Sequence, residues 1–394
     1  MKFSYVFIVI LILLFSQCFS FIGWNPTLGG QFTKAILLVL LVYCIINAKK
    51  IPKTEMKPFV LMLMILPFIS ILSSYAIHAQ SLKIGFQVTM FSLTYLLFFI
   101  LYLLKVDFDV ILKMCLFFGV FWVVMEVVQQ FTYPTVWFAT RYDTFDSTVE
   151  IRNGIYRFNM EGREFGLILL FYSFQKYLEK PSVRYLLGIT LGIIGVYMLA
   201  TRQIMFASVL CLFYAMFSLH KLKFASFIGV SVIAMLIYMN MDTLFGDYIQ
   251  MTETVDQDYI RFVSYNFFGL EYNKGQFLPF LIGNGLDGLS SYGKEIDRLK
   301  EMGLYRADIG IVGMYSLYGI VYVLTVLAFF IYTIVNRKFI DVYLQMYIVY
   351  MLVTSVMLHH FGYSTHHIMS LCLIIYLIDG SIKRNKCMNS SIVS

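Results

Sequence analysis

The chain has 394 residues, of which 60% are hydrophobic and 13% are charged, and its formal net charge is +7. This balance, with a mean hydropathy of +0.77, excludes a soluble globular fold of this size because too few charged side chains are available to cover its surface. Lipid is therefore the expected solvent for most of the chain.

Long apolar stretches follow one another through the sequence. A hydrocarbon core about 30 Å thick needs about 20 apolar residues per helical span. Continuous runs favour helices over the short alternating segments of a membrane β-barrel. They predict an all-α, polytopic membrane helical bundle, one integral membrane domain over 1–394 with about 12 transmembrane helices. The predicted spans are 3–23, 33–48, 58–78, 84–104, 110–131, 162–178, 183–200, 203–220, 223–240, 308–335, 341–358 and 366–382.

Basic residues are concentrated in alternate short connections between these spans. Lysine and arginine in short loops mark the cytoplasmic side of a membrane protein, so both termini are expected in the cytoplasm. Two long loops, 132–161 and 241–307, then project outward. The membrane topology thus explains the positive net charge of the chain. We therefore expect membrane lipid, and no nucleic acid, as a partner. The basic residues in question are Lys49, Lys50, Lys53, Lys57, Lys105, Lys113, Lys176, Lys180, Arg184, Lys221, Lys223, Arg337, Lys338, Lys383, Arg384 and Lys386.

The first outer loop is rich in arginine just before the next span. Arg157 and Arg163 lie in the segment from Arg152 to Gly166, and Glu164 stands at the beginning of the span. A guanidinium group pairs bidentately with phosphate and remains charged at any relevant pH. The segment therefore predicts an anion-binding site, with ordinary headgroup contacts or surface ion pairs as the alternative.

Three more arginines lie at the expected membrane boundary. Arg202 separates two spans with almost no loop, where a charge is costly unless it is paired or functional; snorkelling to a lipid phosphate is the alternative. Arg306 and Asp308 precede a span and could bind an anionic leaving group and activate a hydroxyl, or form an interfacial pair. For Arg261, in the second loop, the simplest interpretation is a solvated helix face.

The second outer loop shows signs of structure. Segments 258–270 and 294–302 have the pattern of short amphipathic helices on a membrane surface. Glycines in the sequence IGNGLDG predict a turn between them, and a plain loop is the simplest interpretation of that cluster.

Four histidines flank a short outer turn with the sequence HHFGYSTHH. We interpret His359, His360, His366 and His367 as interfacial polar residues that cap two helices. Zinc or copper binding is the alternative, but the spacing fits no metal site that we can name, and the predicted functional site includes no metal.

On these residues the chain resembles the O-antigen polymerase and ligase superfamily of bacterial surface-polysaccharide assembly, and most resembles its Wzy-type polymerases. Topology supports the resemblance over the whole chain. Local similarity is confined to Arg157 to Gly166, to the turn at Thr201–Arg202, and to a pattern of spaced glycines. That pattern is Gly283-Asn284-Gly285 followed by Asp308, Gly310, Gly313 and Gly319.

The resemblance implies inverting glycosyl transfer on the outer face of the bacterial cytoplasmic (inner) membrane, with neither metal nor cofactor. A growing glycan would leave undecaprenyl pyrophosphate and join the next lipid-linked repeat unit, and a chain-length regulator is left open as a further partner. We assign diphosphate and carrier binding to Arg157, Arg163, Arg202, Arg261 and Arg306, and the role of catalytic base to Asp308 or Glu164.

One departure from the family pattern favours a polymerase over a ligase. Ligases of the superfamily use a histidine late in the large outer loop, and 241–307 contains none. A ligase-like transferase and a lipid-linked oligosaccharide flippase or transporter stay open as alternatives. A transporter would be expected to line its spans with charged residues, and only Glu126 stands out there.

Overall fold

A computed structural model describes residues 3–16, 26–138, 149–152, 154–158, 160–199, 201–219, 256–362 and 364–393. Helices make up most of this part, because a helix satisfies its own backbone hydrogen bonds in lipid. They are α1 (Phe3–Ser16), α2 (Pro26–Ile46), α3 (Lys57–His78), α4 (Leu82–Thr89), α5 (Leu96–Leu103), α6 (Phe108–Thr132), α7 (Arg163–Glu179), α8 (Val183–Met198), α9 (Arg202–Ser218), α10 (Asp256–Asn266), α11 (Phe277–Ile282), α12 (Ser291–Glu301), α13 (Gly310–Val335), α14 (Val342–Thr354) and α15 (Thr365–Val393).

Six helical segments within the described ranges are long and apolar enough to cross a membrane, as a multi-pass membrane protein requires. They are Gly29–Ile46, Lys57–His78, Leu82–Leu103, Phe108–Thr132, Gly310–Val335 and Thr365–Met388. This agrees with the predicted all-α membrane class. Eleven of the twelve predicted spans overlap helices, and the twelfth, 223–240, lies outside the described residues.

A two-stranded hairpin that the sequence analysis did not anticipate lies in the segment 132–161. Strands β1 (Val149–Arg152) and β2 (Ile155–Phe158) pair antiparallel. The side chain of Gln130, at the end of α6, accepts a hydrogen bond from the Tyr156 backbone N–H at 3.0 Å and donates to the Tyr156 carbonyl. The amide of one helical residue therefore fixes the hairpin.

The chain divides into two compact units. Unit 1 consists of Met1–Met114, Ile260–Asp341 and Met351–Ser394. Unit 2 consists of Cys115–Tyr259 and Val342–Tyr350. The helices at the beginning and end of the chain thus pack together in unit 1, whereas unit 2 contains the hairpin and α7 to α9.

Unit 1 has two chemically different ends. Helices α3 and α13 run antiparallel, since the Phe59 ring in the first turn of α3 lies 6.1 Å from the Phe329 ring near the end of α13. At that end, here called the basic end, Lys386 pairs with Glu55 at 2.7 Å. The opposite end, here called the site end, is formed where α3 ends and α13 and α15 begin, and it contains residues 284–294.

Helix α13 is interrupted near the site end. Gly319 has φ +78°, which releases the carbonyls of the preceding turn from their helical partners. The backbone N–H of Asn284 donates to the Ser316 carbonyl at 3.0 Å, and that of Gly285 to the Leu317 carbonyl at 2.8 Å. The segment after α11 therefore completes the broken helix, and the glycine cluster is a loop, as expected, whose backbone is anchored to α13.

Candidate functional site

A buried arginine is the centre of the site end. Arg306 lies in the 3-10 turn Arg306–Asp308 just before α13 and is only 6% exposed. Its Nη1 donates to the Tyr292 hydroxyl at 2.9 Å, and its Nη2 pairs with Asp287 Oδ1 at 2.5 Å. The guanidinium carbon also lies 5.7 Å from the centre of the Tyr292 ring. These partners offset the cost of burying the charge.

The ionisation of Arg306 and Tyr292 follows from this geometry. Burial by itself lowers the pKa of Arg306, but the Tyr292 oxygen and the Asp287 carboxylate outweigh it, so the pKa is raised above its usual value. Burial raises the pKa of Tyr292. The pair is therefore a permanent cation hydrogen-bonded to a neutral hydroxyl at physiological pH.

His78, the last residue of α3, joins this cluster. Its ring stacks on Tyr292 with the two centres 4.0 Å apart and an interplanar angle of 17°. Its Nδ1 lies 3.4 Å from Glu295 Oε2, and its Nε2 lies 3.0 Å from Asn284 Oδ1. The Asn284 amide group donates to the Asn273 side chain and to the backbone, so its oxygen is the atom that faces His78. Both ring nitrogens therefore face acceptors.

His78 was not predicted as a site residue. The run of four histidines is the more conspicuous pattern in the sequence, because four of them lie within nine residues. The available signal was a histidine at the end of a predicted span, where a polar ring lies near the membrane boundary. Its partners could not be inferred, since Asn284 is 206 positions away in the chain.

Gln80, in the turn after α3, fixes the segment that contains Asp287. Its Nε2 donates to the Leu286 carbonyl at 2.8 Å, and its Oε1 accepts from the Gly288 N–H at 2.9 Å. The side chain of Gln80 is fully buried. The backbone on both sides of Asp287 is therefore held by one amide.

An open groove with a volume of about 730 Å³ lies beside Asp287, which is one of its lining residues. It is lined by Val88, Asp287, Gly288, Leu289, Ser290, Ser291, Gly293, Lys294 and Asp297. The side chain of Asp287 is 25% exposed. The groove thus combines carboxylates, hydroxyls and an ammonium group with the apolar surface of Leu289 and Val88, which suits a ligand with many hydroxyl groups.

Of the predicted residues in unit 1, only Arg306 belongs to this cluster. Asp308 is exposed and forms no hydrogen bond or ion pair with any residue that the structure describes. Arg261 lies exposed on α10. Arg306 was expected to act with Asp308, whereas the carboxylate that it binds is that of Asp287.

The other predicted residues lie in unit 2. Arg163 and Glu164 begin α7, where Arg163 Nε pairs with Glu164 Oε1 at 2.9 Å. Glu164 is buried, with 4% of its surface exposed. Arg157 lies in β2 opposite Glu150 and interacts electrostatically with the buried carboxylate of Glu126 in α6. Unit 2 therefore contains its own group of arginines and carboxylates.

Arg202 is the exposed first residue of α9. Its neighbour Thr201 is the N-cap residue and has extended backbone angles. The predicted position between two helices with almost no connecting loop is confirmed, because α8 ends at Met198.

The histidine run contacts both distant and neighbouring residues. His359 Nε2 donates to the Arg306 carbonyl at 2.9 Å. Burial lowers the pKa of His359 to about 4, and the charge of Arg306 acts in the same direction, so this imidazole is neutral at physiological pH. His366 and His367 lie 3.2 and 3.0 Å from the hydroxyl of Ser364, just before α15.

No family model and no curated protein matches this chain. The chemistry of the side chains is therefore the basis for inferring what the site does.

Proposed function

We propose that the chain is a Wzy-type polymerase that joins undecaprenyl-pyrophosphate-linked oligosaccharide repeats on the outer face of the bacterial cytoplasmic membrane. The reaction is an inverting, metal-independent glycosyl transfer. It needs cationic groups for the diphosphate, whose negative charge increases as the sugar bond breaks, and a carboxylate for the acceptor hydroxyl.

The observation that supports this most is the pair formed by Arg306 and Asp287 beside the groove. A buried arginine at the end of a membrane helix is an uncommon and costly arrangement. Here it is combined with a partly exposed carboxylate and a groove lined with hydroxyls. Such a site offers both charges that glycosyl transfer from a diphosphate requires.

Five arginines supply the positive charge for the diphosphate and the lipid carrier. We assign this role to Arg157, Arg163, Arg202, Arg261 and Arg306. The sequence predicts Asp308 or Glu164 as the catalytic base. Glu164 is buried and paired with Arg163, whereas Asp308 is exposed. Asp308 is therefore the more accessible of the two to an acceptor hydroxyl.

The orientation follows from the distribution of charge. We propose about 12 spans, cytoplasmic termini, and outer loops at 132–161 and 241–307. In unit 1, Lys53, Arg337, Lys383 and Arg384 belong to the basic end, which would then face the cytoplasm. The site end would face outward, where lipid-linked repeats are polymerised.

Cysteine labelling tests this orientation. Lys274 and Lys53 are both exposed, so each is replaced by cysteine in a background with Cys18→Ser and Cys387→Ser. We expect an impermeant maleimide to label Lys274→Cys in spheroplasts, and to label Lys53→Cys only after the membrane is permeabilised. Labelling of Lys53→Cys alone in spheroplasts would place the site in the cytosol and refute the proposal.

Gene deletion followed by gel analysis of the surface glycan tests the activity. We expect single repeats on their final anchor and no ladder of longer chains, with the ladder restored by the wild-type gene. Full-length chains left on the carrier would instead indicate a ligase. Repeats trapped on the inner leaflet would indicate a flippase.

A further inference from the structure

We infer that the groove beside Asp287 binds the acceptor sugar, and that Asp287 accepts the proton of the attacking hydroxyl. This rests on the proposed glycosyl transfer and assigns the base to a residue that the sequence analysis did not consider. The acceptor is recognised as a polyhydroxylated sugar ring at the non-reducing end of a lipid-linked repeat.

The two carboxylate oxygens of Asp287 have different environments. Oδ1 accepts from Arg306 Nη2 at 2.5 Å. Oδ2 forms no hydrogen bond with any residue in the described part of the chain. Because the side chain lines the groove and is 25% exposed, one oxygen is anchored and the other is available to a ligand.

The position of Asp287 is unusually well fixed for a loop residue. Gln80 binds the backbone immediately before and after it, at Leu286 and Gly288. Arg306 holds the carboxylate itself and is in turn held by Tyr292. A general base must be preorganised within hydrogen-bond reach of the proton that it removes, and these contacts supply that rigidity.

The groove has the chemistry and size for a sugar. Its volume of about 730 Å³ accommodates a glycan of more than one ring. Ser291, Lys294 and Asp297 offer donors and acceptors for hydroxyl groups. Leu289, whose side chain is completely exposed, offers an apolar surface on which the C–H face of a sugar ring can pack.

The transfer of the glycan to the acceptor hydroxyl needs no metal and no further reagent. The acceptor hydroxyl oxygen forms a bond to the anomeric carbon of the donor sugar, and the bond from that carbon to the diphosphate oxygen breaks. The electron pair of the broken bond goes to undecaprenyl pyrophosphate. The hydroxyl proton goes to Asp287 Oδ2.

Kinetics on the purified full-length protein test the assignment. Lipid-linked repeats extracted from the deletion strain serve as donor and acceptor, and wild type is compared with Asp287→Asn and Glu301→Gln. Glu301 is the control, since it is an exposed carboxylate of α12 that does not line the groove. At saturating acceptor we expect Asp287→Asn to reduce kcat at least about 100-fold, and Glu301→Gln to change it less than about threefold.

The possible outcomes separate the two proposals. If wild type forms no polymer from these repeats, the proposed function is wrong. If wild type polymerises and Asp287→Asn retains a kcat within tenfold of it, the assignment of the base is wrong.

A groove-filling variant covers the case in which Asp287→Asn does not fold. Leu289→Trp alters a fully exposed side chain, so the fold is preserved. We expect it to raise the acceptor KM at least about tenfold with kcat little changed, because it obstructs the groove. An unchanged acceptor KM would show that the sugar does not bind there.

Discussion

Replacing Arg306 by methionine is expected to lower the free energy of unfolding by about 3 kcal/mol and to abolish polymer formation. Methionine preserves the volume but leaves the Asp287 carboxylate without its cation and the Tyr292 hydroxyl without its donor. The estimate is at the lower end for a broken buried ion pair because Asp287 is 25% exposed and water partly compensates. The measurements are denaturant unfolding in detergent micelles and the surface-glycan ladder.

Two comparisons make this prediction specific to Arg306. Arg298→Met removes an exposed arginine from α12 and is expected to change the free energy of unfolding by less than about 0.5 kcal/mol. The double variant Arg306→Met with Asp287→Asn should recover part of the lost stability, because it removes the uncompensated carboxylate as well. Wild-type stability together with a normal ladder in Arg306→Met would show that the buried guanidinium has no structural or functional role.

Replacing Gly283 by alanine is expected to lower the free energy of unfolding by about 3 kcal/mol or more. Gly283 has φ +76°, which strains any L side chain. A Cβ there would also lie 2.2 Å from the Leu317 carbonyl oxygen and 2.3 Å from its carbon, so α13 would have to move away. Its displacement would disrupt the hydrogen bonds of Asn284 and Gly285 to α13 and shift Asp287. We therefore expect loss of polymer as well.

Gly275 provides a matched control with the same φ. Its φ is also +76°, but a Cβ at Gly275 would have no atom within 4 Å. Gly275→Ala should therefore show the conformational strain alone, about 1 kcal/mol, and retain the glycan ladder. Equal losses of stability in the two variants would mean that the contact between Gly283 and α13 does not stabilise the fold.

The helices were largely predictable because the solvent imposes them. A span must be long, apolar and helical to cross lipid, and each requirement is visible in a single stretch of sequence. The predicted spans 58–78 and 110–131 match α3 and α6 to within one or two residues. The β-hairpin was not predictable in this way, because it is held by the side chain of Gln130 in α6 rather than by an apolar pattern of its own.

The candidate site was predicted in part. Arg306 was singled out because an arginine at a membrane boundary is costly. Asp308 was chosen as its partner only because it is close in sequence, and the structure pairs Arg306 with Asp287, 19 positions away, instead. The close approach of Gly283 to Gly319 was not predicted, because the two glycines are 36 positions apart; a Cβ on Gly319 would lie 2.5 Å from the Gly283 nitrogen.

The sequence by itself determined that this protein is a bundle of membrane helices with arginines near their ends, because burial in lipid is decided locally, residue by residue. Tertiary structure alone decided which carboxylate meets Arg306, which histidine stacks on Tyr292, and which amide holds the backbone around Asp287. Those partners come from the segment before α12, from the last residue of α3 and from the turn that follows α3. The physical reason is that hydrogen bonds and ion pairs act over a few ångströms, so they depend on how distant parts of the chain pack rather than on the order of residues.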